Sequence, residues 1–412
     1  MTRVLQDARS GRAGSLEHGL FDRGRRFSTP ILGLLTAACA SGEGGSGWRG
    51  SIDTLPNGAV LVRNESGQFW DSSTGWRLVE VARIGNADGE GPAAFAQIAA
   101  VETDDRGRIY VLESQAQEIR VFDSAGAHVR TIGRKGAGPG EFRQAIGMAW
   151  DPRGRLWVVD QQNVRYTLLD TAGVLVTTRP RRISGWFTWR WEGGIDRAGN
   201  VYEWYRPSGE MGGDRLLRYD STLQSTDTLP LPSHEGEIFK LERESMRAIA
   251  TVAFTPTLSW TFDPRGYVWF GLTAPYRIYR RELAGDTGLV IERAYEPLPV
   301  SSTERDSAVA AYEWFTAQGG KVDASRIPSR KPAFERFVVD DRGSVWVMPI
   351  MPGDAARRVF DVFDEGGRYL GEVRASFAIA SGAPLLIRGD RLLTITTDAD
   401  GVPFVVRARI ER

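Results

Sequence analysis

Short apolar runs alternate with polar turns along most of this chain, and sustained helical periodicity is absent from all but two stretches. The turns share one pattern: Asp-x-x-Gly, any residue, an apolar residue and an aromatic one. It occurs at residues 104–110, 151–157, 196–202, 263–269 and 340–346. Asp at the first and Gly at the fourth position are type I turn preferences, and the β-branched and aromatic residues that follow favour a strand. A second turn of the same kind follows at Asp123 to Gly126, Asp170 to Gly173 and Asp364 to Gly367. Two such turns between three strands predict an antiparallel meander.

The spacing of the turn glycines supplies the architecture. Gly107 to Gly154 is 47 residues, Gly154 to Gly199 is 45, and Gly343 to a degenerate copy at Gly389 is 46. A period near 45 with about four short strands per unit predicts a propeller blade. Two intervals are longer, 67 from Gly199 to Gly266 and 77 from Gly266 to Gly343, and carry insertions. In the first, residues 236–250 place Ile238, Leu241, Met246 and Ile249 at helical spacing. In the second, Ser301 and Glu304 form a capping box ahead of an Ala308, Ala311, Tyr312, Phe315 stripe. The expectation is an all-β, six-bladed propeller with two short helical insertions.

The ends fix the blade count. The last copy supplies three strands, so residues 76–84 would complete it as an outer strand and leave no open sheet edge. Residues 49–70, with a Pro-Asn-Gly turn at Pro56 to Gly58, then form an extra hairpin. The alternative is seven blades, with Gly58 anchoring a short first one.

Composition narrows the function classes. The 412 residues hold 52 Lys+Arg against 52 Asp+Glu. Six of the basic and three of the acidic side chains lie in residues 1–38, leaving 46 and 49 beyond. This balance gives no electrostatic reason to expect nucleic acid. Arg23, Arg25 and Arg26 precede a short apolar stretch and the small residues Thr36, Ala37 and Ala38, which resembles a signal segment over residues 1–38. The stretch is too short to span a bilayer. Leu35-Thr36-Ala37-Ala38-Cys39 resembles a bacterial lipoprotein box with its Leu displaced by one position, so Cys39 is the expected lipidation site. Residues 39–48 follow as a flexible Gly/Ser-rich tether, and residues 49–412 as a single propeller domain. The expected location is the periplasm or cell surface, with the membrane reached only through the lipid and the protein monomeric. One cysteine forbids an internal disulfide, and three histidines leave little for His-based catalysis.

Residues 129–160, VRTIGRKGAGPGEFRQAIGMAWDPRGRLWVVD, resemble the linker and blade start of NHL-repeat propellers, and NADGEGPAAF at 86–95 is a weaker copy. The resemblance, which extends to NHL/TolB-like six-bladed propellers of bacteria, implies the fold rather than an activity.

Candidate chemistry gathers on one face. Both insertions, the Arg/Trp-rich linker and the loop after Tyr202 are expected on the same side of the propeller, the helix-bearing one. Arg181, Arg182, Trp186, Trp189, Trp191, Trp204, Tyr205 and Trp314 offer stacking surfaces and bidentate donors for a small molecule, a carbohydrate or a protein. They could equally pack between blades. Glu113, Asp160 and Glu203 occupy matching places at the ends of second strands. The resemblance to gluconolactonase or regucalcin propellers implies that such carboxylates can hold calcium; otherwise no cofactor is expected. An Asp before a turn also satisfies nearby backbone N–H groups. The expected function is a binding or scaffold module, with a metal-dependent hydrolase or lyase as the alternative.

Overall fold

The computed structural model describes residues 47–65, 67, 69–70, 75–181, 190–205, 213–232, 234, 236–243, 246–282 and 285–412. Within them the chain is a six-bladed β-propeller, each blade built on a four-stranded antiparallel meander. Blade 1 runs Ile98–Thr103, Ile109–Glu113, Glu118–Phe122 and His128–Ile132, and blade 2 runs Ala145–Trp150, Leu156–Asp160, Arg165–Leu169 and Leu175–Pro180. Blade 3 runs Gly194–Ile195, Val201–Tyr205, Arg215–Tyr219 and Ser225–Pro230; blade 4 runs Leu258–Phe262, Tyr267–Leu272, Arg277–Glu282 and Thr287–Arg293. Blade 5 is Phe334–Val339, Val345–Pro349, Val359–Phe363 and Tyr369–Arg374. Blade 6 joins Leu385–Arg388, Arg391–Thr397 and Pro403–Glu411 to Arg77–Ile84, which pairs with Pro403–Glu411 from Val405↔Ile84 to Glu411↔Arg77. The first strand of each blade lines a central channel, and sheets pack face to face through apolar clusters such as Ala99, Tyr110, Phe142, Met148 and Val158.

The N-terminal hairpin, Gly50–Thr54 with Val60–Asn64, starts no seventh blade. Val60–Asn64 lies parallel against Thr287–Arg293 and extends blade 4 to six strands. Asn64 locks it there. Its Nδ2 donates to the carbonyls of Glu292 (3.0 Å) and Gly367 (2.9 Å), and its Oδ1 accepts from Trp48 Nε1 and the Tyr369 amide, both at 2.7 Å. A buried amide so engaged costs nothing for its burial and ties the hairpin to blades 4 and 5.

The recurring turn has a chemical reason that its spacing alone hides. In each copy one oxygen of the Asp accepts backbone N–H groups of the turn: Asp151 Oδ1 takes those of Arg153 and Arg155, both at 2.9 Å. The other oxygen reaches the aromatic six residues on. Tyr110 OH donates to Asp104 (3.2 Å), Trp157 Nε1 to Asp151 (2.9 Å), Tyr202 OH to Asp196 (3.0 Å), Trp269 Nε1 to Asp263 (2.9 Å) and Trp346 Nε1 to Asp340 (3.3 Å). The pattern therefore selects aromatics with a polar handle, which bury a large apolar body and satisfy the turn at once. The turn glycines carry positive φ, 77° at Gly107 and 94° at Gly266, the left-handed position that closes a type I hairpin turn.

The first insertion departs from expectation. It is a β-hairpin, Ile238–Arg243 paired with Met246–Thr251, and not a helix. Its true period is two. Phe239, Ala250 and Val252 are buried on one face, whereas Ile249, placed on the helical stripe by spacing, is 64% exposed. The second insertion is helical: α1 (Ser302–Ala310) begins with the Ser301/Glu304 capping box, and α2 (Glu313–Ala317) buries Phe315 against the hairpin with Tyr312. Among the described residues no helix is long and apolar enough to cross a membrane.

Candidate functional site

Two cavities follow the propeller axis. The larger, about 740 Å³, opens among the Asp-x-x-Gly turns and is lined by Asp105, Arg106, Arg197, Asp341, Asp390 and Arg391. The turn face thus presents more concave surface than short turns suggest, but many of its charges are already matched. Asp104 holds Arg108 (2.6 Å), Asp151 holds Arg155 (2.6 Å), Arg197 donates to the Asp341 carbonyl (2.7 Å), and Asp341 caps the Gly389 amide (2.9 Å).

The second cavity, about 430 Å³, is the channel itself, with residues of all six blades in its wall. Its wall mixes small or aliphatic residues, among them Ala99, Val101, Ala149 and Ala383, with the charged Glu102, Arg190, Glu192 and Arg336. Small residues are required where the wall closes in: a side chain at Gly147 would strike Trp191, its Cβ falling 2.4 Å from that of Trp191.

Polar groups occupy both ends of this channel. Near the turn end, Glu102 of the first strand of blade 1 is only 8% exposed, and its Oε2 has no hydrogen-bond partner among the described residues. Burial pushes its carboxyl up to about 7, against the opposing pull of the Arg388 charge and a backbone hydrogen bond at Thr103. The Trp150 indole N–H, beside it in the wall, is likewise unpartnered, while its ring packs edge-on against Tyr110 at 5.2 Å. At the end entered from the helical linker, Arg190 crosses the mouth to the carbonyls of Gly382 and Ile98 (3.2 Å for the latter). Arg336, near the start of the first strand of blade 5, donates Nη1 to the Ala383 carbonyl (2.7 Å), whereas its Nε and Nη2 are buried with no partner among the described residues. Burial holds the Arg336 guanidinium below its ordinary value. The positive charges of Arg190 and Arg357 push the same way, and Glu335 opposes them. Glu335 is itself paired with Arg357 at 3.0 Å.

The structure places the sequence candidates unevenly. Cys39, Arg182, Trp186 and Trp189 lie outside the described residues. Arg181 and Glu203, assigned on spacing to a ligand site and a cation site, are partners of each other. Arg181 Nε and Nη2 grip the carboxylate at 2.8 and 2.9 Å, and Tyr166 OH and Trp191 Nε1 (2.9 Å) complete it, all within the wall between blades 2 and 3. With Arg181 6% and Glu203 1% exposed, this is a clamp between blades and not a surface for ligands. Trp191 serves both, since it also lines the channel. Trp204 packs partly buried beside Tyr202 and Leu216, Tyr205 is half-exposed, and Trp314 stands 49% exposed with its ring edge-on to Phe315.

The other two carboxylates are engaged by backbone. Glu113 accepts the amides of Gln97 (2.7 Å) and Ala116 (2.5 Å), and Asp160 accepts those of Arg143 and Gln144 (both 3.0 Å) together with Asn163 Nδ2 (2.7 Å). They share this role in successive blades, binding the linker to the second strand. The three acids are not brought together, and no cluster of three or more His, Cys, Asp or Glu able to hold a metal occurs among the described residues.

Comparison with known proteins agrees with the fold. Residues 92–171 match a family described as 6-bladed beta-propeller. No curated protein matches the sequence. Among solved structures, one similar chain is a protein of Bacteroides fragilis inferred to be exported, with a TM-score of 0.50 at 12% identity over 85% of this chain and 100% of that one. Another is a member of the duf4221 family from Bacteroides vulgatus, with a TM-score of 0.49 at 9% identity over 82% of this chain and 98% of that one. A calcium-binding regucalcin of Agrobacterium tumefaciens aligns with a TM-score of 0.39 at 14% identity over 81% of this chain and 95% of that one. At these identities the likeness concerns the fold alone.

Proposed function

We propose that this chain is an exported, lipid-anchored binding protein whose ligand enters the central channel from the helix-bearing side. The observation that carries the reading is the channel itself, about 430 Å³, with residues of all six blades in its wall and the charged Glu102, Arg190 and Arg336 among the apolar ones. A concave channel that sets a few charged groups among apolar ones is the usual form of a small-molecule site. Export and anchoring rest on the basic, apolar and small-residue series that ends at Cys39. The hydrolase or lyase alternative draws no support from Glu113, Asp160 and Glu203, whose oxygens already hold protein donors.

Filling the channel tests the reading. Ala149→Phe should abolish binding of any small molecule that co-purifies from the native envelope, as read by native mass spectrometry, while leaving the β-sheet circular dichroism unchanged. Retention of the same bound mass by the filled variant would defeat the channel assignment. Anchoring is tested separately: Cys39→Ser should move the protein out of the membrane fraction, and an unchanged distribution would remove the lipid from the account.

A further inference from the structure

The Asp-x-x-Gly turns spend their first and fourth positions on themselves. The Asp is buried, taken up by turn amides and by the aromatic six residues on, and the Gly closes the turn at positive φ. The second position does neither. Yet its residues in blades 1 to 5, Asp105, Pro152, Arg197, Pro264 and Asp341, all line the cavity of about 740 Å³ at the turn end of the axis. Blade 6 replaces the motif with a two-residue turn, Gly389-Asp390 between Arg388 and Arg391, and Asp390 and Arg391 line the same cavity.

Opposite charges stand in three neighbouring pairs around this cavity. Asp105 and Arg106 are exposed, and neither side chain has a hydrogen bond or ion pair to a described residue. Arg197 reaches the main-chain carbonyl of Asp341 at 2.7 Å and not its carboxylate, of which one oxygen caps the Gly389 amide. Asp390 and Arg391 stand 3.7 Å apart, beyond hydrogen-bond reach, with Arg391 donating to the Asp104 carbonyl at 3.2 Å. A carboxylate only accepts and a guanidinium only donates, so each pair offers an acceptor beside a donor. Pro152, Pro264 and the part-buried Trp150 add apolar wall between them.

We infer that the turn-end cavity binds a neutral oligosaccharide. A sugar ring carries an apolar C–H face and a rim of hydroxyl groups, each of which both donates and accepts. The face matches the two prolines and Trp150, and neighbouring hydroxyls match the acceptor and donor of each Asp/Arg pair. A ligand of net charge, whatever its sign, meets a like charge in all three pairs, which selects against it. A zwitterionic peptide end brings one charge of each sign to a rim that holds three of each. The cavity has the size of sites that enclose a small ligand, and its paired charges lie at exposed or half-buried positions where ligand oxygens can reach them. The inference does not depend on the channel reading, although the two cavities meet at Trp150, Pro264 and Asp341.

The experiment screens the full chain, at constant ionic strength, on an array of bacterial and plant oligosaccharides with neutral, uronate-containing and sulfated members, and uses triglycine as the zwitterionic competitor. At least one neutral oligosaccharide should bind saturably and about tenfold or more tightly than its uronate-containing or sulfated counterparts, with no displacement by triglycine. The double variant Asp105→Asn, Arg106→Gln changes two exposed side chains that the fold does not use. It should weaken that neutral oligosaccharide by about tenfold or more, the factor for hydrogen bonds to charged groups, at an unchanged melting temperature. No neutral binder, a preference for uronate or sulfate, displacement by triglycine, or full affinity in the double variant would each overturn the inference. Ala149→Phe keeps the two cavities apart: oligosaccharide binding that it abolishes and the double variant leaves intact belongs to the channel, which overturns the turn-end site while the channel reading stands.

Discussion

Arg181 and Arg336 are both withdrawn from water in the same propeller, and they are neutralised in different ways. Arg181 leaves the end of blade 2 and meets Glu203 of blade 3, with Tyr166 and Trp191 filling the remaining positions on the carboxylate. The arrangement recurs between blades 4 and 5, where Asp361 accepts from Tyr276 OH and Arg293 Nη1 (both 2.7 Å) and Tyr369 OH (2.9 Å), with Arg293 stacked 4.2 Å over the Tyr369 ring. In both cases an arginine at the end of one outer strand and a tyrosine of the same blade clasp an acid of the next blade. These are closed units that hold neighbouring blades in register. Arg336, by contrast, is held through Nη1 by the Ala383 carbonyl alone, and its Nε and Nη2 are buried with no partner among the described residues. What distinguishes the clamps is the acid of the next blade, not a full set of hydrogen bonds on the arginine, since Arg293, like Arg336, leaves its Nε without a partner among the described residues.

The comparison can be broken first at the clamp. Glu203→Gln should destabilise the protein by about 3 to 5 kcal/mol, because it strands the Arg181 charge in a dry wall. Urea denaturation measures it, and the loss should be far from additive with Arg181→Met, since the double variant removes both charges. A cost under about 1 kcal/mol would make the clamp no different from an exposed ion pair.

Next in size is the acid of the channel. The carboxyl of Glu102 is raised from an ordinary 4.5 to about 7, so folding favours its protonated form. Its contribution is full below about pH 4.5 and is lost as pH rises through about 7. Without ligand, Glu102→Gln should therefore be more stable than the parent at pH 8, by up to about 3 kcal/mol at roughly 1.4 kcal/mol per pH unit, and the two should converge below pH 4.5. Parallel stability curves across that window would show that the Glu102 carboxyl is not desolvated as described.

Arg336→Gln should sharpen the contrast with the clamp by its sign: removing an unmatched buried cation raises the stability of the ligand-free protein by roughly 1 to 3 kcal/mol. Destabilisation of the size seen at Glu203 would mean that Arg336 has a structural partner. The smallest effect is expected at a polar device that is exposed and fully matched. Ser301→Ala removes the capping box of α1 and should cost about 1 kcal/mol, with no change in binding.

The blades were legible in the sequence because their turns are chemically local. The Asp, the Gly at positive φ and the aromatic lie within seven residues of one another, so the spacing of Gly107, Gly154, Gly199, Gly266, Gly343 and Gly389 carries the count. The first insertion was misread because Ile238, Leu241, Met246 and Ile249 fit a helical period, while the buried set is Phe239, Ala250 and Val252 on alternating positions. The clamp was half legible. Arg181 drew notice as a charge beside aromatics and Glu203 as a carboxylate at the end of a second strand, but their partnership spans 22 residues and two blades, and no local pattern encodes it. Of the channel residues, Trp191 was marked in the sequence, whereas Glu102 and Arg336 were missed. Their signal was charge within a largely apolar first strand, Glu102 in IAAVET and the pair Glu335 and Arg336 in FERFVV. Which face of the strand such a charge occupies depends on strand pairing that only the assembled ring defines.

The most direct test of the account is native mass spectrometry of the protein purified from its native envelope, the parent beside Ala149→Phe. A bound small molecule carried by the parent and lost from the variant with the filled channel is the predicted result. The same bound mass on both would contradict it.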